Sequence, residues 1–458
     1  MHRYCLSRLI GSALRRQLLG SAMVGGGLLA ALLLSLVAAA PDIVRAQDDK
    51  EAYIIVQVDD NARTVRSITF TEPISGLMAL QLSGLEVVTT STSFGPAVCS
   101  IQGVGCPVEN CFCDASRFWA YSYWDGGAWQ SYPVGAGSSV ISQTGAVEGW
   151  RWGEFGAAQT SPTQTLAAAA ALTWLQASQS ITDGGYVGVG SSVETMLAIG
   201  ANQIAAAAWR QTPVSPSLED FVALDGAAYT RATAAGAGKL AVATTASTAC
   251  FPAAGISPLG HYSPTLGAFS SQSGPNSWAI LGTVALSEIA PVSAVAYLKG
   301  QVQPDGGWEW APGWGSDTNA TALALQALIA AGEPISSATV VDALAFLESA
   351  QNEDGGFPYA PGPDAPSDAN STAYVVQALI AAGEDPLGAR WTVSATTPIS
   401  YLLTLQLPNG SFEWQPGAGA NQLATQQVIP ALLGRAHPAL SAPLQACPAL
   451  YLPQVANP

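Results

Sequence analysis

Gln303-Pro304-Asp305-Gly306-Gly307-Trp308 opens a passage that the chain states three times. The first copy continues with Ser316-Asp317-Thr318-Asn319-Ala320-Thr321 and an apolar run from Ala322 to Gly332. The second reads Asp354-Gly355-Gly356-Phe357, then Ser367-Asp368-Ala369-Asn370-Ser371-Thr372, then an apolar run from Ala373 to Gly383. A weaker third has Asn409-Gly410-Ser411-Phe412 followed by Ala424-Thr425. Asp305 and Asp354 are 49 residues apart, and Asp354 and Asn409 are 55 apart. A helical repeat of about that period cannot bury its apolar face alone, so it predicts a stacked or ring-shaped array.

Further turns of the same kind begin at Asp183 and Gly267, and a degenerate unit spans about 210–250. Ten to twelve paired helices follow. Within a pair the helices differ. Residues 340–351 place Val340, Leu344 and Leu347 along one stripe, which predicts an outer helix. Residues 321–332 are apolar nearly all round, which predicts an inner one. Asp317 and Asp368 stand ahead of inner helices, where a carboxylate accepts backbone N–H bonds. Gly332 and Gly383 stand where a left-handed cap ends a helix.

Upstream the chain changes character. Residues 156–163 are a linker, and residues 47–155 are β-rich. Strands are predicted over 52–58, 63–70 and the run from Leu85, a short helix starts at Pro73, and Asp125-Gly126-Gly127 turns a hairpin. Cys99, Cys106, Cys111 and Cys113 lack paired metal-binding knuckles and read as two disulfides. Cys111 and Cys113 are too close to pair with each other. That leaves 99–111 with 106–113, or 99–113 with 106–111.

Residues 1–46 read as a signal peptide. Four arginines precede an apolar stretch, and Val44-Arg45-Ala46 suits cleavage after Ala46. Export, to the outside or the cell envelope, follows. Residues 441–458 form a proline-rich tail after the helical domain of 164–440. The formal charge of −16, with only 10% charged residues, argues against nucleic-acid and anionic-membrane partners.

The repeat resembles the prenyltransferase and squalene-cyclase type, which implies an α/α toroid behind the β-rich domain. The early helix, Phe118 to Gly137 and Gly145 to Gly153 resemble the β-domain of the intrinsic factor and transcobalamin family, with the domain order inverted. The resemblance also frames what is missing. Class II cyclases protonate an alkene with an aspartic acid in a D-x-D-D-T-A motif. The stretch Asp317-Thr318-Asn319-Ala320-Thr321-Ala322 puts an amide and a methyl at the two acid positions. Asp368 to Ala373 departs in the same way. The Asp, Cys and His zinc set of protein prenyltransferases is also missing, although Cys250, His261, His437 and Cys447 could converge. A Cys250–Cys447 disulfide with solvated or capping histidines is the expected reading.

The function expected is therefore non-enzymatic binding of a bulky, partly apolar molecule in the toroid mouth or between the domains. The resemblance implies a corrinoid or an isoprenoid lipid and no required cofactor. Trp310, Trp314, Tyr359 and Trp414, with Gln326 and Gln377 on the inner helices, are the candidate ligand contacts. Asp305, Gly306, Gly307, Asp354, Gly355 and Gly356 are expected to build turns. A cyclase-like enzyme with a relocated acid and a surface scaffold are the alternatives.

Overall fold

The computed structural model describes residues 49–249 and 257–438. The expected signal peptide, Cys250, Cys447 and the proline-rich tail lie outside them.

In the β-rich domain, β1 (Lys50–Gln57) and β2 (Arg63–Phe70) form an antiparallel pair. Next comes α1 (Gly76–Leu82), which starts at Ser75 and not at Pro73, because the Ser75 hydroxyl accepts the Met78 N–H. β3 (Val87–Thr92), β4 (Gly95–Ile101) and β5 (Val104–Gly105) make a small sheet. β6 (Arg117–Trp124) and β7 (Trp129–Ser131) are the expected hairpin, and the Asp125 carboxylate accepts the Gly127 and Ala128 N–H groups in its turn. β8 (Ala146–Glu154) lies parallel to β1 and completes a five-stranded sheet of order β2-β1-β8-β6-β7. Ile54, Leu80 and Ile101 are fully buried between these layers. The disulfides are Cys99–Cys111 and Cys106–Cys113, the first of the two open pairings.

The helical domain runs α2 (Thr163–Ser178), α3 (Gly188–Ala201), α4 (Leu218–Ala232), α5 (Ala234–Ala246) and α6 (Ser273–Ala285). It continues with α7 (Val292–Gly300), α8 (Thr318–Ala330), α9 (Ala338–Ala350), α10 (Ala369–Ala381), α11 (Pro398–Thr404) and α12 (Gln422–Leu432). Six inner helices pack side by side in the closed order α3-α5-α6-α8-α10-α12, with α12 returning to α3. Helices α2, α4, α7, α9 and α11 pack outside them. The sixth outer position, between α5 and α6, holds the 3-10 turn Pro258–His261, which packs on both. This is an α/α toroid. The inner-to-inner step at α5 and α6 is very close: a Cβ on Gly238 would lie 2.0 Å from the Trp278 carbonyl oxygen.

One hydrogen bond repeats around the ring. The backbone N–H of each turn aromatic donates to a side chain one turn into the inner helix. Trp308 donates to Thr321, Phe357 to Thr372 and Phe412 to Thr425, each at 2.9 Å. Tyr186 to Ser192 and Phe269 to Asn276, at 3.0 Å, are the two degenerate forms. Trp308, Phe357 and Phe412 are fully buried. The Asp305 and Asp354 carboxylates accept the N–H of Gly307 and Gly356, and Gly306 and Gly355 have φ of +85° and +82°. Gly332 and Gly383 likewise have positive φ, at +97° and +76°. Val340, Leu344 and Leu347 are buried on α9 while Val341 is exposed, as expected of an outer helix.

Candidate functional site

The repeated bond sets a common register for the inner helices. Two residues beyond its acceptor stand Glu194, Trp278, Leu323, Tyr374 and Gln427. Helix α5 lacks the turn aromatic, but Lys239 is six residues past its cap Thr233, just as Leu323 is six past Asp317. One side chain per inner helix thus meets at one level inside the ring.

The chemistry of that level is concentrated. Glu194 and Lys239 are the only charged residues in the six inner helices, and they form an ion pair. Gln427 donates to Glu194 at 3.0 Å, and Asn370 donates to the Gln427 carbonyl at 2.6 Å. The Lys239 ammonium lies 4.9 Å from the centre of the Trp278 ring. Burial pulls the Lys239 ammonium down, but Glu194, Tyr374 and Tyr229 together carry it above its ordinary value. Tyr374, on the opposite side of the ring from α5, is pushed up to about 12 by burial.

One turn nearer the helix N-termini stand Gly190, Ala235, Gly274, Asn319, Asn370 and Leu423. All but Gly274 are at least partly exposed, so this level is the rim of a mouth. The Trp310 indole fills the space in front of Gly274, where an added Cβ would lie 2.4 Å from the ring. Trp314, Tyr359 and Trp414 are 71%, 42% and 43% exposed, beside the same helix starts. The Tyr359 carbonyl accepts the Thr318 N–H, and the Trp414 carbonyl accepts the Ala369 N–H. The four aromatic candidates are therefore gathered at one end of the ring.

Asp317 and Asp368 are buried at this end. Asp317 accepts from Ala320 N at 2.6 Å and from Trp310 N at 3.0 Å, and Asp368 accepts from Ser371 N at 2.8 Å. Burial pushes the Asp317 carboxyl up to about 6, even against those donors, and raises Asp368 in the same direction.

The other end is closed. Gln326 and Gln377 lie one turn beyond the charged level, away from the mouth. Gln326 does not bond to a neighbouring helix: its carbonyl accepts the His437 N–H at 2.8 Å, and its amide donates to Ala322 O at 3.3 Å. His437 is buried against Trp278, with ring centres 5.3 Å apart, so it is neither solvated nor a cap. Burial, then the nearby Lys239 charge, push its imidazole down to about 3. His261 does cap, bonding the Thr230 carbonyl at the end of α4. The β-rich domain covers the same closed end. Asn202, the cap of α3, exchanges two bonds with the backbone of Val65 at 2.8 and 2.9 Å. Arg63 N donates to Leu433 O at the end of α12. The cleft between the domains has a volume of about 430 Å³ and is lined by Arg63, Gln159, Glu384 and Gly434 among others. It is therefore separate from the aromatic mouth.

The Glu194–Lys239 pair escaped the sequence reading. The signal was present: a lone acid and a lone base inside helices that are otherwise uncharged. Their partnership spans 45 residues across a unit without the turn motif, which hid the register.

Residues 277–422 match the squalene-hopene cyclase C-terminal domain. A variant of the type II terpene cyclase MstE from Scytonema, in complex with geranylgeranyl dihydroxybenzoate, is similar at 14% identity and a TM-score of 0.42, over 59% of this chain and 97% of that one. Candida albicans protein geranylgeranyltransferase-I complexed with GGPP is similar at 13% identity and a TM-score of 0.37, over 60% and 86%. The ent-copalyl diphosphate synthase from Streptomyces platensis is similar at 17% identity and a TM-score of 0.34, over 64% and 51%. No curated protein matches the chain.

Proposed function

We propose that the chain, whose residues 277–422 match the squalene-hopene cyclase C-terminal domain, is an exported, non-enzymatic binding protein. Its ligand is a bulky, partly apolar small molecule of isoprenoid type, held at the mouth where the inner helices start. The carrying observation is the disposition of charge in the ring. The one acid within the inner helices, Glu194, is tied to Lys239 and Gln427. Asn319 stands where a cyclase of this type places its acid, and an amide cannot protonate an alkene. What remains is an aromatic rim over a polar floor, which suits reversible capture of an amphiphile.

Native mass spectrometry of the purified chain with polyprenyl lipids and, separately, with corrinoids tests this reading. The expected result is a saturable polyprenyl adduct, released unchanged. An adduct with corrinoids alone would move the ligand to that class, and no adduct at all would leave a surface scaffold. The intact mass of the exported form, expected to start at Gln47, tests the leader.

One observation favours the enzymatic alternative. A carboxyl pushed up to about 6 is partly protonated near neutrality, and Asp317 is such a group beside the aromatic rim. Recovery of a cyclised lipid, lost in Asp317→Asn with folding intact, would establish that alternative.

A further inference from the structure

The charge of the mouth discriminates among isoprenoid ligands, and this deepens the binding reading above and rests on it. Five turn segments surround the helix starts: residues 180–187, 262–272, 302–317, 352–368 and 407–421. Together they carry nine Asp or Glu and no Lys or Arg. Glu309 and Glu413 occupy equivalent places in two of these loops. Glu309 accepts from Gly313 N and Gly315 N at 2.7 and 3.2 Å, and Glu413 from Gly417 N and Gly419 N at 2.9 and 2.8 Å. Both therefore stay fixed beside Trp314 and Trp414. At the remaining junction, α4 to α5, the exposed Arg231 is the nearest base, two residues before the cap. Lys299, near the end of α7, is paired with Glu333 at 2.9 Å.

The positive helix starts do not offset this acidity for an incoming anion. Asp317 and Asp368 already occupy two of them, and the Asn421 carbonyl takes the Ala424 N–H of a third. Inside the rim, Lys239 is the one cation among the described residues, and Glu194 holds it. A diphosphate headgroup would enter a field of like charge, with Arg231 beside the start of α5 as the one base near it that makes no ion pair among the described residues. A hydroxyl headgroup would find neutral partners in the partly exposed Asn319, Asn370 and Tyr374.

We infer that the mouth selects an uncharged, alcohol-headed isoprenoid and rejects the corresponding diphosphate. The hydroxyl lies at the level of Asn370 and Tyr374, and the hydrocarbon lies against Trp310, Trp314 and Trp414.

The test compares geranylgeraniol with geranylgeranyl diphosphate on the full chain, read by tryptophan fluorescence and native mass spectrometry at low and high salt. The alcohol is expected to bind at least tenfold more tightly, with little salt dependence. The diphosphate affinity should rise with salt as the repulsion is screened. In the double variant Glu309→Gln, Glu413→Gln the gap between the two should narrow. Equal affinities, or a diphosphate affinity that falls with salt, would overturn the selectivity while leaving the binding function standing. Binding of neither molecule would overturn both.

Discussion

The two ends of the toroid are made from the same six helices and behave as opposites. At the end where the inner helices start, the repeats supply long loops, exposed indoles and carboxylates that cap helices. Where they finish, the space is filled by His437 and by β2 of the other domain. A ring of parallel helices has two chemically different faces, because N–H groups point out of one and C=O groups out of the other. This chain spends its backbone acceptors on docking a domain. Its backbone donors go to capping side chains and to the loops that carry the aromatic rim. Between the two faces the Glu194–Lys239 pair acts as a floor.

The strongest way to break this arrangement is to break the floor. Both side chains are largely buried, so Lys239→Met strands a carboxylate and should cost about 3–5 kcal/mol in urea unfolding. The double variant Glu194→Leu, Lys239→Met should recover most of that loss, because the desolvated charge is gone. A double variant as unstable as the single one would mean that the pair is not the source of the cost. Next in size is the closed end. Asn202→Ala leaves the Val65 N–H buried without a partner, while its C=O keeps the Arg66 guanidinium, and should cost about 1–3 kcal/mol. Limited proteolysis between the domains, within 156–163, should speed up accordingly. Unchanged cleavage would deny Asn202 its docking role.

Titration sharpens the comparison, because the ends respond to acid with opposite sign. The folded Asp317 carboxyl, at about 6, lies above its unfolded value, so the fold favours its protonated form. Its contribution is present at low pH and is lost as pH rises towards 6. The folded His437 imidazole, at about 3, lies below its unfolded value, so its contribution is present above about 6.5 and is lost as pH falls. Between pH 4 and 7 the deficit of Asp317→Asn relative to the parent chain should shrink by about 1–3 kcal/mol. Over the same range His437→Gln should remove a similar share of the parent's acid sensitivity. Urea melts at intervals across that range would show whether the two slopes are opposed.

How much of this could be read in advance depended on the range of the interaction. The ring was legible because Asp-Gly-Gly-aromatic turns and Thr321-like acceptors repeat at nearly fixed spacing, and each is a local rule. The alternation of α8 with α9 was legible for the same reason, since apolar patterning reports which face is buried. The aromatic mouth followed from position alone. The floor did not, because it joins α3 to α5 through a unit whose turn motif has decayed. The placing of His437 under Trp278 did not either, because no local pattern announces that a chain end folds back into a ring. The order of the domains in sequence likewise said nothing about which face of the ring β2 would cover.

The smallest expected effect concerns stability and the most informative concerns affinity. Trp414 is 43% exposed and its side chain bonds to the Asp368 carboxylate, whereas the buried core of its repeat is made by Phe412. Trp414→Ala should therefore change unfolding by only about 1 kcal/mol, the size of one hydrogen bond. If the aromatic mouth holds the ligand, the same change should weaken polyprenyl binding by roughly 1–3 kcal/mol, in the range of a contact residue. Phe412→Ala should behave the other way, costing about 3–5 kcal/mol of stability through an emptied core. The pair separates the two jobs that aromatic residues perform in these repeats. The turn aromatic fills the gap between helices, and the next aromatic along the loop is the proposed ligand contact. If Trp414→Ala leaves affinity untouched while Asn370→Ala reduces it, the ligand sits within the ring and not against its rim.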